Sequence, residues 1–209
     1  FEELREDFNK AVNSSGGDSL LSFAMVQTLI SMLELMSGQS LQLSKLTPLL
    51  LSPYLHGAIE ERDQRAILDR ELRSFHQEGF KLTELVGLLQ KTNSCPKLFS
   101  LFNVEYLRDN SRHRFPSEWA KVIKNTLTHF GWPGERKLSS IEYQCVNSFQ
   151  QKLQYYAGLD GILNTHALQN AIDILRDLLS KTLFQGQSDH HAPIQVLGLL
   201  EASGLFFDK

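Results

Sequence analysis

The sequence predicts a mainly α-helical fold, an irregular bundle of about eight helices with one short strand near the C-terminus. Apolar residues recur at intervals of three and four over most of the chain, which is the spacing of amphipathic helices. Capping residues, glycines and prolines separate these stretches. With 209 residues, the chain is long enough to bury a core without disulfides or metals.

Five helices are predicted in the first half of the chain, over residues 19–36, 44–51, 60–74, 84–91 and 97–108. Asp18 or Ser19 can cap the first helix, and segment 13–17 before it predicts a flexible loop. Thr83 is the expected cap of the fourth helix. Pro96 begins the fifth at the position where its missing N–H costs nothing.

Three longer helices are predicted in the second half. They cover residues 117–130, a segment opened by the capping box of Ser139 and Glu142, and residues 165–181. The apolar run 193–200 predicts a short buried strand, although periodicity alone leaves a helix open there. A lone strand cannot satisfy its backbone, so we expect its sheet to lie outside the chain or to be incomplete within it.

Composition restricts the classes of function. The formal net charge of −3 argues against a strongly basic nucleic-acid binder, although a local basic stripe stays compatible with it. Cys95 and Cys145 are far apart, which predicts reduced thiols in a cytoplasmic protein. Neither a signal peptide nor a membrane-spanning run is present in the sequence. Because the chain starts at Phe1 and stops just after an apolar stretch, we expect an internal piece of a larger protein.

No motif for catalysis occurs in the sequence. The P-loop, the dinucleotide fingerprint, the HExxH helix and the nucleophile elbow are all missing. Segment 78–81 has the wrong spacing for a metal-dependent nuclease. Adjacent His190 and His191 lack the spacing that places two metal ligands on one helix face. We therefore predict no catalytic residue, no cofactor and no metal site.

Cations in the middle of the chain are the candidates for DNA contact through phosphates. They are Arg108, Arg112, Arg114, Lys121, Lys124 and Lys137. The alternative for the basic stretch around residues 108–114 is a solvated loop. A continuous groove of these cations would indicate DNA binding, whereas an exposed apolar patch would indicate a protein partner.

Four stretches occur in the order found in one known family. They are segment 17–20 before an apolar helix; segment 49–55 with Ser52 and Pro53, followed by segment 65–73; the turn Trp132-Pro133-Gly134 leading to Tyr143 and Gln144; and segment 194–208. Together they resemble AddB/RecB-type helicase–nuclease relatives, in particular the bacterial "probable DNA repair protein" branch. The turn itself predicts an indole packed between two helices.

This resemblance implies a division of the chain. Residues 1–190 would form a helical subdomain inserted into the second motor domain of a superfamily 1 helicase-like region. Residues 191–209 would be the truncated return strand and the motif V-like loop, with Gln195, Gly198, Glu201, Gly204 and Asp208. Ser203 stands where active helicases carry a lysine, which implies a motor that is inactivated or independent of ATP.

The resemblance also implies partners and a role in DNA repair and recombination. The partners are DNA, contacted through the parent protein; the remaining motor and C-terminal PD-(D/E)xK nuclease domains of the same chain; and a helicase partner subunit. The expected role is non-catalytic, namely to position DNA or a partner. The alternative is a helical protein–protein interaction module with no nucleic-acid role.

Overall fold

A computed structural model describes residues 17–103 and 112–184, together with the backbone of residues 12–14 and 194–196. Within these ranges the chain is mainly helical, with eight α-helices and only short strands. The predicted irregular helical bundle is therefore confirmed. The predicted C-terminal strand is confirmed for Ile194–Val196, while residues 197–200 lie outside the described ranges.

The helices follow one another with short connections. In chain order they are α1 Ala24–Met36, α2 Leu43–Leu50, α3 Arg62–Ser74, α4 Leu82–Thr92, α5 Pro96–Phe102, α6 Pro116–His129, α7 Ser140–Ala157 and α8 Leu168–Ser180. Two 3₁₀ helices, Leu20–Ser22 and Gly158–Gly161, precede α1 and follow α7. The capping box of Ser139 and Glu142 at the start of α7 is confirmed.

Several predicted helix starts are wrong. Ser19 caps the 3₁₀ helix rather than α1, because its side chain accepts from the amide of Leu21. Thr83 lies inside α4, which begins after Lys81; the backbone N–H of Lys81 donates to the Glu84 carboxylate at 2.7 Å. The first helix therefore begins later than predicted, at Ala24, and the fourth begins slightly earlier, at Leu82.

Two other helices are shorter than predicted. The fifth ends at Phe102, since Asn103 leaves the helical region with ψ of 61°. The last begins at Leu168 and not at residue 165, because the backbone of His166 is paired in extended form with Arg114. The two amide–carbonyl bonds of this bridge measure 3.1 and 3.0 Å. A long-range contact thus overrides the local helical pattern.

Four short strands join the two ends of the helical body, and we call their two pairs the neck. β2 Asp18–Ser19 pairs antiparallel with β5 Leu183–Phe184, and β1 Val12–Ser14 pairs parallel with β6 Ile194–Val196. The predicted loop over 13–17 is therefore wrong for Asn13 and Ser14. The prediction that the sheet lies wholly outside the chain is also wrong, because β6 pairs with β1 in a sheet of two described strands.

A further pair of short strands ties the connections between the early helices together. β3 Leu41–Gln42 pairs antiparallel with β4 Gly79–Phe80, and no such pairing was predicted from the sequence. Strands of two residues carry no periodicity, so their formation depends on the packing of the helices around them.

Helix α1 is the centre of the core. Eleven of its thirteen residues are buried, and it packs against α2, α7 and α8. This explains why its sequence is apolar on nearly every face, whereas the other helices show a single stripe. The core continues through the buried faces of α6, α7 and α8 around Trp119, Phe149 and Ile172.

A buried carboxylate connects three of these helices. Glu34 on α1 is 5% exposed and forms ion pairs with Lys45 on α2, at 3.0 Å, and with Arg176 on α8. Burial of a charge is costly unless it is paired, and the two cations offset this cost for Glu34.

A second buried ion pair holds the start of α5. Glu61 accepts the amides of Lys97 and Leu98 at 2.5 and 3.0 Å, and Arg65 donates to Glu61 and to the carbonyl oxygen of His56. Glu61 therefore satisfies helix amides that would otherwise lack a partner.

Candidate interaction groove

A groove of about 510 Å³ lies between α6 and α7, and we call it the α6–α7 groove. Its two helices are antiparallel: the amide of Ser117, at the start of α6, donates to Asp160 just beyond α7, and Trp132, beyond the end of α6, contacts Phe149 in the middle of α7. The residues that line it are Ser117, Ala120, Lys121, Lys124, Leu127, Thr128, Trp132, Pro133, Val146, Phe149, Gln150, Leu153, Gln154 and Ala157.

Local sequence fixes the ends of both walls. Pro116 occupies the first turn of α6, and Glu118 accepts the amide of Phe115 at 3.0 Å. After α6, Gly131 adopts a left-handed conformation with φ of 67°, which glycine tolerates and other residues resist. At the start of α7, Ser139 and Glu142 each accept the other's amide, at 3.2 and 2.8 Å. The groove is therefore bounded by stable helix ends.

The aromatic residues of the groove are fixed in the core beneath it. The indole N–H of Trp132 donates to the carbonyl oxygen of Met25 at 3.1 Å, and its ring meets Phe149 edge to face at 5.4 Å. Trp132 is 8% exposed and Phe149 is fully buried. The predicted placement of this indole between helices is confirmed, and the two rings leave little surface exposed in the groove.

Charge is distributed unevenly along the groove. Lys121 and Lys124 are exposed on the α6 wall, one turn apart, and Gln150 and Gln154 are exposed on the α7 wall. None of the described residues lining the groove is acidic. Asp160 lies near its Ser117 end, where hydrogen bonds from Ser117 and the charge of Lys121 lower the pKa of its carboxyl group.

The predicted DNA-contacting residues are only partly brought together. Lys121 and Lys124 share the groove. Arg114 is half-buried, with its guanidinium 5.1 Å from the centre of the Trp119 ring, and Arg112 is exposed two residues earlier. Lys137 is exposed in the α6–α7 connection and does not line the groove. Arg108 lies outside the described residues.

Two of the stretches quoted for the family resemblance pack against each other. Gly134, with φ of 98°, lies so close to the chain that an added Cβ would be 2.5 Å from the carbonyl oxygen of Pro53. Ser52 is buried, and its hydroxyl contacts that of Thr28 at 3.1 Å. The Trp132–Pro133 peptide is cis. Residues 52–54 and the turn at 131–134 therefore form one structural unit.

An ion-pair cluster beside this unit was missed by sequence reasoning. The Tyr54 hydroxyl donates to Glu142 at 2.9 Å, Arg136 pairs with both oxygens of Glu142, and the Arg136 guanidinium is 5.3 Å from the Tyr54 ring centre. Burial and the bond to Glu142 raise the pKa of Tyr54 to about 12. The capping box was the one local signal for Glu142; no sequence pattern indicates its pairing with Arg136, in the preceding connection, or with Tyr54, far away in the sequence.

The Glu142 carboxyl group itself is held in its ionised form. Burial on its own would raise its pKa, but hydrogen bonds from Arg136, the Ser139 backbone and Tyr54 outweigh burial and lower the pKa. Of the other quoted residues, Tyr143 is 60% exposed and Gln144 is half-buried.

Most of the motif V-like residues fall outside the described ranges. Gln195 is the middle residue of β6 and pairs with Asn13 of β1. Gly198, Glu201, Gly204 and Asp208 lie outside the described residues, as does Ser203.

Neither a metal cluster nor a membrane span is found in the part of the chain that the structure describes. No three His, Cys, Asp or Glu side chains there are placed to hold a metal ion, and His190 and His191 fall outside it. None of the described helices is long and apolar enough to cross a bilayer. Comparisons with protein-family models, curated proteins and solved structures find no match.

Proposed function

We propose that this chain is a non-catalytic helical subdomain inserted into a larger DNA repair or recombination protein, where it positions DNA or a protein partner. The observation that carries the proposal is the neck. The amide of Leu20 donates to the carbonyl oxygen of Thr182 at 2.8 Å, so the backbone enters and leaves the helical body side by side. Neighbouring chain ends are the arrangement that domain insertion requires.

The strands beyond this point support the same proposal. β1 and β6 are parallel neighbours, with Val12 opposite Ile194 and Ser14 opposite Val196, and the helical body is the crossover between them. Parallel strands normally belong to larger sheets covered on both faces, and an isolated pair of strands is marginally stable. In the proposal, further strands of a host domain complete this sheet. The resemblance to helicase–nuclease relatives suggests a motor domain as that host.

The DNA-positioning role is proposed for the cations around α6. Lys121 and Lys124 lie in the groove, and Arg112 and Arg114 precede the helix. Lysine and arginine contacts to phosphates release counterions, so affinity for DNA would fall as salt rises. Titration of labelled single- and double-stranded DNA with the chain tests this role, and no binding at low salt would contradict it.

A second candidate is a helical protein-interaction module with no nucleic-acid role. The observation that favours it is the composition of the α6–α7 groove, where aliphatic side chains such as Leu127, Val146 and Leu153 lie between the two polar walls. The net charge of −3 also favours a protein partner over DNA. The same DNA titration separates the candidates, since an interaction module would bind neither form of DNA.

A further inference from the structure

We propose that the α6–α7 groove binds an amphipathic helix of a protein partner, with acidic residues along one edge of its apolar face. This rests on the proposed positioning role, and it specifies the chemistry of the partner.

The dimensions of the groove fit a helix. Its α6 wall has 14 residues, which corresponds to a length of about 21 Å at 1.5 Å per residue. A helix of about four turns would lie along this wall and insert apolar side chains spaced at i, i+4 and i+7. The groove volume of about 510 Å³ provides space for such a row of side chains.

Between its polar walls the groove is apolar. Ala120 and Leu127 from α6 and Val146 and Leu153 from α7 line it. Removal of apolar surface from water is the main source of affinity when a helix docks in a groove. Leucine-like side chains of a partner would fill this space, whereas phosphates or sugars would gain little from it.

The charged residues that line the groove indicate which charge a partner should carry. Lys121 and Lys124 lie one turn apart on the same face of α6, and no acidic residue is found among the described lining residues. A partner helix with carboxylates one turn apart along one edge would meet both lysines. On the opposite wall, Gln150 and Gln154 present neutral amides that can donate to or accept from polar groups at the other edge.

Single-stranded nucleic acid fits the same groove less well. Binding of bases without sequence preference relies on aromatic rings with an open face. Phe149 is fully buried, Trp132 is 8% exposed and the two rings are packed edge to face, so little ring surface is left for a base to stack on. The groove therefore favours a peptide that combines apolar side chains with negative charge.

The test uses synthetic helical peptides of about 14 residues, the length of the α6 wall. The first peptide carries leucines at helical spacing with glutamates along one edge. A second has lysines in place of these glutamates, and a third has serines in place of the leucines. Binding of each labelled peptide is measured by fluorescence anisotropy against the wild-type chain and Lys121→Glu/Lys124→Glu. The matched control, called the α4 control, is Lys81→Glu/Lys91→Glu, which makes the same charge change at the exposed Lys81, directly before α4, and the exposed Lys91, within it.

We expect the leucine–glutamate peptide to bind the wild type and the α4 control equally, and Lys121→Glu/Lys124→Glu about tenfold more weakly. The lysine peptide should bind this groove variant better than it binds the wild type. Equal binding of the glutamate peptide to all three proteins, or binding to none of them, would overturn the proposal. Equal binding of the serine and leucine peptides would also overturn it, because the groove would then recognise charge alone, as a phosphate-binding surface does.

The results that would contradict the proposed function differ from those that would contradict the groove proposal. Peptide binding without DNA binding would contradict the DNA-positioning role and leave the groove proposal intact. DNA binding without peptide binding would do the reverse.

Discussion

The amide N–H of Leu20 donates to the carbonyl oxygen of Thr182 across 2.8 Å, although Leu20 precedes the eight described α-helices in the sequence and Thr182 follows them. Next to them, Ser19 is paired with Leu183, and the Ser19 hydroxyl donates to the carbonyl oxygen of Leu179 at 3.3 Å. Backbone hydrogen bonds thus join the segments that enter and leave the helical body, at a point between that body and the β1–β6 pair. Every helix of the described body lies between the two sides of this neck.

The neck predicts an efficient cross-link. In Ser19→Cys/Leu183→Cys the new thiols occupy directly paired positions of an antiparallel ladder, and Cys95 and Cys145 are buried and so protected. A disulfide should form under mild oxidation and raise the free energy of unfolding, by up to about 4–5 kcal/mol for so long a loop. Non-reducing electrophoresis and urea unfolding check this, with each single-cysteine variant as control. Free thiols after oxidation would contradict the pairing.

We predict that removing the buried charge of Glu34 lowers the stability of the fold. Glu34→Gln keeps the size of the side chain but removes the charge that Lys45 and Arg176 share. Both cations are partly exposed, so water replaces some of the lost interaction, and we expect a loss of about 1–3 kcal/mol in the free energy of unfolding. Urea unfolding measures the loss. Glu78→Gln, at an exposed position, should change stability by about 0.5 kcal/mol at most.

Gly134 predicts that a single methyl group disrupts the contact between the turn and residues 52–54. Gly134→Ala places a Cβ against the carbonyl oxygen of Pro53 in a backbone conformation that side chains resist, which should cost about 2–4 kcal/mol. Gly158→Ala is the control, because its φ of −76° is ordinary and nothing lies within 4 Å of the added carbon. Thermal unfolding should separate these variants. Equal melting temperatures would contradict the described close approach.

The Glu142 cluster predicts a pH-dependent contribution to stability. The folded state lowers the pKa of this carboxyl group below its ordinary value of 4.5, so its ionised form stabilises the fold at higher pH. The contribution is fully present above this value and is lost as pH falls through the lowered pKa. The difference in free energy of unfolding between wild type and Glu142→Gln should therefore shrink on acidification. A difference that stays constant from neutral pH to about pH 3 would contradict the cluster.

The sequence predicts most helix interiors but fails where long-range contacts decide the structure. The spacing of Leu168, Ile172, Leu175 and Leu179 identifies α8, yet its first turn depends on the pairing of His166 with Arg114. β2 and β5 have two residues each, too few for any period to appear, and they form only because the helices bring Ser19 and Leu183 together. Local patterns therefore identify these helices, whereas packing determines their limits.

The groove was partly predictable in the same sense. Helical spacing places Lys121 and Lys124 on one face of α6, and the Trp132 turn was expected to pack between helices. The opposite wall, with Gln150 and Gln154, belongs to a helix whose relation to α6 no local pattern specifies. Arg114 was expected beside these lysines, but its stacking on Trp119 depends on the three-dimensional structure.

The most direct test of the proposed function is the salt dependence of DNA binding. The chain is titrated into labelled single- and double-stranded DNA over a salt series, beside Lys121→Glu/Lys124→Glu and the α4 control Lys81→Glu/Lys91→Glu. We predict an affinity that falls steeply with salt, and a slope that is smaller by about two phosphate contacts in the groove variant alone. Absence of binding at low salt, or identical slopes for all three proteins, would contradict the proposal that these lysines position DNA.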